Sequence, residues 1–254
     1  MKALILNSGT GSRMGEMTSQ HPKCMTMLSD TESILSRQLR QLCEQSIKDI
    51  VITTGPFEEI LKTHCEETLS NLATKHRGTA LNITFVHNPE YKSTNYIYSI
   101  YRAKDCLHGD LILMHGDLVF DDAVLSKTLN SSESCMTVSS TTPLPEKDFK
   151  AVVTQGRDTQ ILKVGVEFFD NSLTAQPLYK LCKGDWELWL QEIISFCEAG
   201  NLKCYAEKAL NKLLEAGQIV LRPLDVAEAL CSEIDTPEDW LRVKEMLERN
   251  TRRS

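Results

Sequence analysis

MKALILNSGTGSRMG (residues 1–15) runs an apolar strand, Ala3–Leu6, straight into a glycine-rich turn, and HPKCMTML (21–28) then brings an isolated Pro22-Lys23. Gly9 and Gly11 let the backbone come close to an anion, and the N–H groups of Ser8 to Ser12 can point at it. Two common phosphate-binding designs are disfavoured. A dinucleotide loop needs a third glycine where Met14 stands and an acidic residue where the second strand ends in Thr53-Thr54-Gly55. A P-loop ends in Gly-Lys-Ser/Thr, and Gly15-Glu16 puts a carboxylate there. What remains is a long anion-binding loop, Asn7 to Lys23, in which Arg13 can clamp phosphate oxygens and Lys23 supplies a compact charge.

Outward from this loop, strand and helix patterns alternate. Strands are expected at Ala3–Leu6, Asp49–Thr53, Asn82–Val86 and Leu111–His115, and helices at Ser33–Glu44, Glu58–Leu72, Asn95–Ala103 and Ala123–Asn130. Such alternation predicts a mostly parallel sheet flanked by helices. Between 135 and 180 the pattern changes to closely spaced strands: Cys135–Ser140, Ala151–Thr154, Gln160–Val166 and Thr174–Lys180. Trp186, Trp189, Leu190, Ile193, Ile194 and Cys197 then form a helical stripe, read as core packing. Tyr205–Leu214 reads as helix, Ile219–Arg222 as strand, and Pro237–Arg249 as a last helix with a frayed basic end, TRRS. The expectation is one α/β domain over 1–254: a nucleotide-binding part to about 130, an acceptor part over about 131–235, and a C-terminal helix from 236.

A net charge of −7 in 254 residues disfavours nucleic acid and acidic membranes as partners. The nine cysteines contain no CxxC pair and sit mostly in apolar stretches, as reduced core thiols do. No segment reads as a signal peptide or membrane span, so a cytoplasmic enzyme is expected.

Leu111-Ile112-Leu113-Met114 is a buried-strand pattern ending in His115-Gly116-Asp117, which sets a carboxylate at a strand's C-terminal edge. Asp117 can serve there as a turn cap or as a ligand. In CSEIDTPEDW (231–240), Thr236, Pro237 and Asp239 already make a helix cap, which leaves Asp235 free to face a cleft. The six histidines show neither triad nor metal spacing.

LNSGTGSRMGEMTSQHPK (6–23) resembles the signature of nucleotidyltransferases that activate sugars and small phosphorylated alcohols, in which G-x-G-[ST]-R-[ML] precedes a Pro-Lys. The resemblance implies a Rossmann-like, GT-A-type fold whose loop (Asn7, Ser8, Gly9, Thr10, Gly11, Ser12) wraps a nucleoside triphosphate, with Lys23 and Arg13 catalytic. It further implies Mg²⁺ on Asp117 and on Asp235 of the late E-I-D. HNP (87–89) and STNYIYSIYRA (93–103) are similar to segments of bacterial phosphocholine cytidylyltransferases, which implies CTP. Asn95 offers a donor and an acceptor for base or ribose, and Thr54-Gly55 lies on a loop bordering the base in such folds. Of Tyr96, Tyr98 and Tyr101, at least one is expected simply to pack the helix face.

TTPLPEKDFKA (141–151) carries one Phe and no Trp, a poor aromatic cage for choline. Glu146 and Asp148 suit a primary ammonium instead, and Lys147 and Lys150 a phosphonate, although such a charged run can also be a solvated turn. With ITTGPFEE, TNYIYS, HGDLVF, PLPEKDFK and AQPLYKL, the chain resembles 2-aminoethylphosphonate cytidylyltransferases of phosphonate biosynthesis, and Tyr179 and Glu207 join the acceptor set. The resemblance leaves room for a homodimer and for fusion to an aminotransferase. Phosphocholine is the alternative acceptor. A non-catalytic nucleotide sensor is the opposed reading, weakened because Lys23, Asp117 and Asp235 are all present.

Overall fold

The computed structural model describes residues 1–75, 80–156 and 158–251. Its first half alternates β1 (Lys2–Asn7), α1 (Ile34–Glu44), β2 (Asp49–Thr54), α2 (Glu58–Lys75), β3 (Asn82–His87), α3 (Tyr96–Ala103) and β4 (Leu111–His115). The short β5 (Leu118–Phe120) and α4 (Asp122–Leu129) follow. Then come β6 (Cys135–Ser139), β7 (Lys150–Val153), β8 (Ile161–Gly165), β9 (Ser172–Leu181), α5 (Lys183–Glu198), α6 (Glu207–Glu215), β10 (Arg222–Asp225), β11 (Cys231–Glu233) and α7 (Pro237–Thr251).

The main sheet runs β10-β6-β9-β4-β1-β2-β3, with β7 and β8 continuing off β9. Neighbours β4, β1, β2 and β3 are parallel, while β9 runs antiparallel to both β4 and β6. The change of pattern in the middle of the sequence is therefore the antiparallel part of a mixed, Rossmann-like sheet. Strand alternation sorts the core into two layers. Leu4, Leu6, Leu111 and Leu113 face Ile97, Ile100, Trp186, Trp189 and Leu210 of α3, α5 and α6. Ala3, Ile5, Ile112 and Met114 face Leu35, Leu39 and Leu42 of α1 and Leu125 of α4. Each fully buried Leu or Ile side chain contributes about 1.5–3 kcal/mol. Both expected tryptophans are wholly buried, with Nε1–H donated to the carbonyls of Leu107 and Ala206.

Local signals place three helix starts. Ser33 caps α1 by accepting from the Ser36 amide, and the Asn95 side chain accepts from Tyr96 N at 2.7 Å at the start of α3. Thr236 caps α7 as expected: its hydroxyl accepts from Asp239 N, while Asp239 accepts in return from Thr236 N. One strand is displaced. The expected Ile219–Arg222 begins only at Arg222, because pairing with β6 starts there (Arg222 beside Cys135), while Ile219 and Leu221 are buried under α5 and α6. Residues 252–254 of the basic tail lie outside the described residues. All nine cysteines are free. Among the described residues, no helix is long and apolar enough to cross a membrane.

Candidate active site

The parallel strands β1 and β4 end side by side, Leu6 beside His115, so the glycine loop leaves the sheet next to Gly116-Asp117. Gly116 donates its amide to Leu6 O, and a Cβ on it would lie 2.8 Å from Asn7 Oδ1 and 2.9 Å from Leu6 O. Only glycine fits between the two strand ends. The short strand β11 pairs antiparallel with β5, Glu233 beside Leu118, and Ile234 N donates to Asp117 O at 3.0 Å. This pairing lays the E-I-D segment against the H-G-D turn and brings Asp235 to Asp117.

Lys23 closes the group. After Pro22 the chain makes one 3-10 turn, Lys23–Met25, anchored by the buried Cys24. Lys23 Nζ donates to Asp117 Oδ2 and to Asp235 Oδ1, both at 2.6 Å, and Arg13 meets the same Asp235 oxygen at 2.9 Å. Burial works against the charge on Lys23, but the two carboxylates outweigh it and hold the ammonium well above its ordinary pKa. Burial likewise opposes ionisation of Asp117, and Lys23 and His115 overcome it, so its carboxyl stays below the usual range. The donor set suits a divalent cation: two carboxylates from separate strand ends converge on one position that a cation already fills.

Histidine does take part. His115 Nδ1 lies 2.8 Å from Glu233 Oε1. Burial pushes the His115 pKa down, but the Glu233 hydrogen bond and charge raise it to about 9, while burial and the nearby Asp117 push Glu233 up to about 7. One ligand atom from each of His115, Asp117 and Glu233 falls within 4.8 Å of the others. With Nδ1 engaged by Glu233, His115 acts here as a positive neighbour to Asp117. Nothing in the sequence singled out Glu233: it ends the three-residue β11, and only the pairing of β11 with β5 brings it to His115.

These groups line one cleft of about 500 Å³ with Asn7, Ser8, Gly9, Thr10, Gly11 and Ser12 on one wall. Asn95 lines it too, though its side-chain oxygen is committed to capping α3. Ser8 Oγ lies 2.5 Å from Ser99 Oγ, and Asn88 Nδ2 donates to the same Ser99 hydroxyl, so α3 and the Asn88 turn hold the loop's first residue. Thr54 and Gly55 lie behind this wall. The Thr54 hydroxyl faces His87 Nδ1, and a Cβ on Gly55 would stand 2.2 Å from Ser8 O, so Gly55 supports the loop from the rear.

The expected acceptor residues depart further from expectation. Asp148 and Lys147 reach the cleft, and Glu146, exposed, does not. Lys150 is not a phosphonate ligand in this arrangement. β7 pairs with both β8 and β9, which buries the lysine, and its ammonium donates to Asp148 O and Val166 O. It fastens the loop that carries Asp148. Tyr179 and Glu207 also sit behind the cleft lining: Glu207, 1% exposed, accepts from Tyr179 Oη at 2.9 Å and from Tyr96 Oη. Their contribution is to hold Tyr96.

An aromatic wall emerges that no single segment announced. Tyr96 packs against His115 and Tyr205, and Phe149 against Tyr205 and His115, with ring centroids 5.0 to 6.4 Å apart. Tyr98 and Tyr101 instead stack on each other, as the packing reading of the helix expected.

A Rossmann-like mixed sheet whose strand ends carry this glycine loop, lysine and carboxylates is the architecture of a nucleotidyltransferase. The chain belongs to the MobA-like NTP transferase domain family, which matches residues 3–182. It is 26% identical over 246 residues to the CMP-5'-(3-aminopropyl)phosphonate synthase of Streptomyces rubellomurinus, covering 94% of this chain and 37% of that protein. It is 28% identical over 139 residues to the CTP:phosphoglutamine cytidylyltransferase of Campylobacter jejuni, covering 52% of this chain and 50% of the other. The chain thus spans half or less of the length of these two relatives. Among solved structures, the inositol-1-phosphate CTP transferase from T. maritima superposes with a TM-score of 0.75 at 21% identity, over 97% of this chain and 94% of the other. The CTP:phosphocholine cytidylyltransferase of Streptococcus pneumoniae does so with 0.69 at 17%, over 97% and 98%.

Proposed function

We propose that this chain transfers CMP from CTP to a small aminoalkyl phosphonate, foremost 2-aminoethylphosphonate, releasing pyrophosphate. The observation that carries the reading is the meeting of Lys23, Asp117 and Asp235 beneath the glycine loop, in a cleft that Asp148 also lines. The relatives named above, with their CTP and CMP-phosphonate chemistry, support the choice of nucleotide and acceptor.

In this reading the part up to about residue 130 holds the nucleotide and the following part holds the acceptor. The backbone N–H groups of Ser8 to Ser12 bind phosphate oxygens, and Arg13, which is largely exposed, swings onto them. A phosphonate oxygen, already anionic near neutral pH, attacks the α-phosphorus and pyrophosphate departs. Mg²⁺ held by Asp117 and Asp235 would supply charge neutralisation at the phosphates. Lys23 follows the negative charge as it shifts towards the leaving group, and positioning carries the rest of the rate. Asp148 receives the acceptor's ammonium: it is half-buried, and among the described residues no side chain hydrogen-bonds or ion-pairs with its carboxylate. Lys147 stands at the rim for the phosphonate.

Phosphocholine is the second reading, and the wall of Tyr96, Phe149 and Tyr205 favours it, since ring faces attract quaternary ammonium. Pyrophosphate release from CTP, UTP, ATP and GTP with aminoethylphosphonate, phosphocholine, phosphoethanolamine and sugar phosphates separates the readings. CTP with aminoethylphosphonate is the expected best combination. A higher kcat/KM with phosphocholine would transfer the assignment, and no release with any combination would leave the sensor reading.

A further inference from the structure

The two carboxylates assigned to the metal are not waiting open. Lys23 Nζ lies 2.6 Å from an oxygen of each, and Arg13 adds a second positive charge at 2.9 Å on Asp235. Asp117 and Asp235 are thus already neutralised, and the Lys23 side chain is 12% exposed, walled in on that position. A divalent ion arriving between the carboxylates would confront an ammonium at contact distance in a poorly solvated place, where like charges repel strongly. Lys23 also borders the cleft beside Gly9 to Arg13, so phosphate bound on that loop offers it another anionic partner.

We infer that Lys23 is a built-in counter-cation that fills the metal position between Asp117 and Asp235 in the empty enzyme, and that a divalent ion binds tightly only when the nucleotide's phosphates draw the ammonium away. The inference rests on the metal reading above and adds an order to it. Metal and nucleotide each strengthen the other's binding, by the same factor, because both favour the displaced lysine. Metal alone is a weak ligand.

The test uses Mn²⁺ alone, without nucleotide, with free Mn²⁺ read by electron paramagnetic resonance. Lys23→Met keeps most of the side chain's volume and removes its charge, so the position between the two carboxylates loses its cation and only Arg13 remains, beside Asp235. It should bind Mn²⁺ at least tenfold more tightly than wild type, and Mn²⁺ should raise its melting temperature more than it raises that of wild type. Lys23→Arg keeps the charge and should bind as weakly as wild type. Asp235→Asn added to Lys23→Met should abolish the gain. If Lys23→Met binds no more tightly than wild type while Asp235→Asn weakens binding, the exchange is wrong and the metal assignment stands. If neither Asp117→Asn nor Asp235→Asn changes Mn²⁺ binding in either background, the metal assignment fails and the exchange with it. Should Lys23→Met not fold, the wild-type Lys23 side-chain ¹⁵N resonance answers the question: CTP together with saturating Mg²⁺ should shift it, and an unmoved signal overturns the exchange.

Discussion

Replacing Asp148 by Asn tests acceptor recognition with little change of shape. The Asp148 carboxyl has its pKa raised, chiefly by burial and next by the charge of Asp235. A carboxylate whose folded pKa lies above its unfolded value loses stability as the pH rises from the unfolded pKa through the folded one, so ionising Asp148 weakens the fold. Asp148→Asn should leave the melting temperature unchanged or slightly higher. Acceptor binding should move the other way. A hydrogen bond to a charged partner is worth about 1.5–3 kcal/mol, and a half-buried group reached by water belongs at the low end, about 1.5–2 kcal/mol. At 1.4 kcal/mol per factor of ten, that is about a 10- to 30-fold loss in kcat/KM for 2-aminoethylphosphonate. Ethylphosphonate, which lacks the amine, should lose nothing, and the KM for CTP should hold. The assay is pyrophosphate release with both acceptors for wild type and variant, a cycle that isolates the amine–Asp148 term. If the variant keeps the wild-type preference for the amine, or loses activity equally with both acceptors, Asp148 does not receive the ammonium.

Lys23→Ala should lower kcat by far more than it changes the acceptor's KM, since its charge acts on charge that develops at the leaving group; near wild-type turnover would remove it from the mechanism. Asp117→Asn and Asp235→Asn should each move the Mg²⁺ dependence of the rate to higher concentration, with circular dichroism unchanged, and a metal titration superimposable on wild type would disqualify them as ligands. Glu207→Ala leaves the hydroxyls of Tyr96 and Tyr179 without their shared acceptor in the interior. It should cost about 3–5 kcal/mol by urea denaturation, with Glu207→Gln clearly milder, and a loss under about 1 kcal/mol would contradict the network.

Sequence by itself determined the features that depend on near neighbours. Near-continuous apolar runs marked β1, β2 and β4 as strands covered on both faces. The glycine loop with Arg13 and Lys23 was legible because close backbone approach and charge are stated by residue type. The Thr236 cap, which frees Asp235, could be read from four consecutive residues. Tertiary structure alone decided how these parts meet. β5 and β11 have three residues each, too few to show a period, yet their pairing is what lays Glu233 and Asp235 beside His115 and Asp117. Lys150 read as one charge in an exposed run, and the ladders from β7 to β8 and β9 turned it inwards, where carbonyl groups satisfy its ammonium. The aromatic wall joins Tyr96, His115, Phe149 and Tyr205 from four separate segments, and Glu207 became a support for Tyr96 only when α6 closed over α3 and β9. A local pattern reports which side of an element is apolar. Which distant element covers that side is settled by burial and hydrogen-bond satisfaction summed over the whole chain, and a site built across several strand ends inherits that dependence.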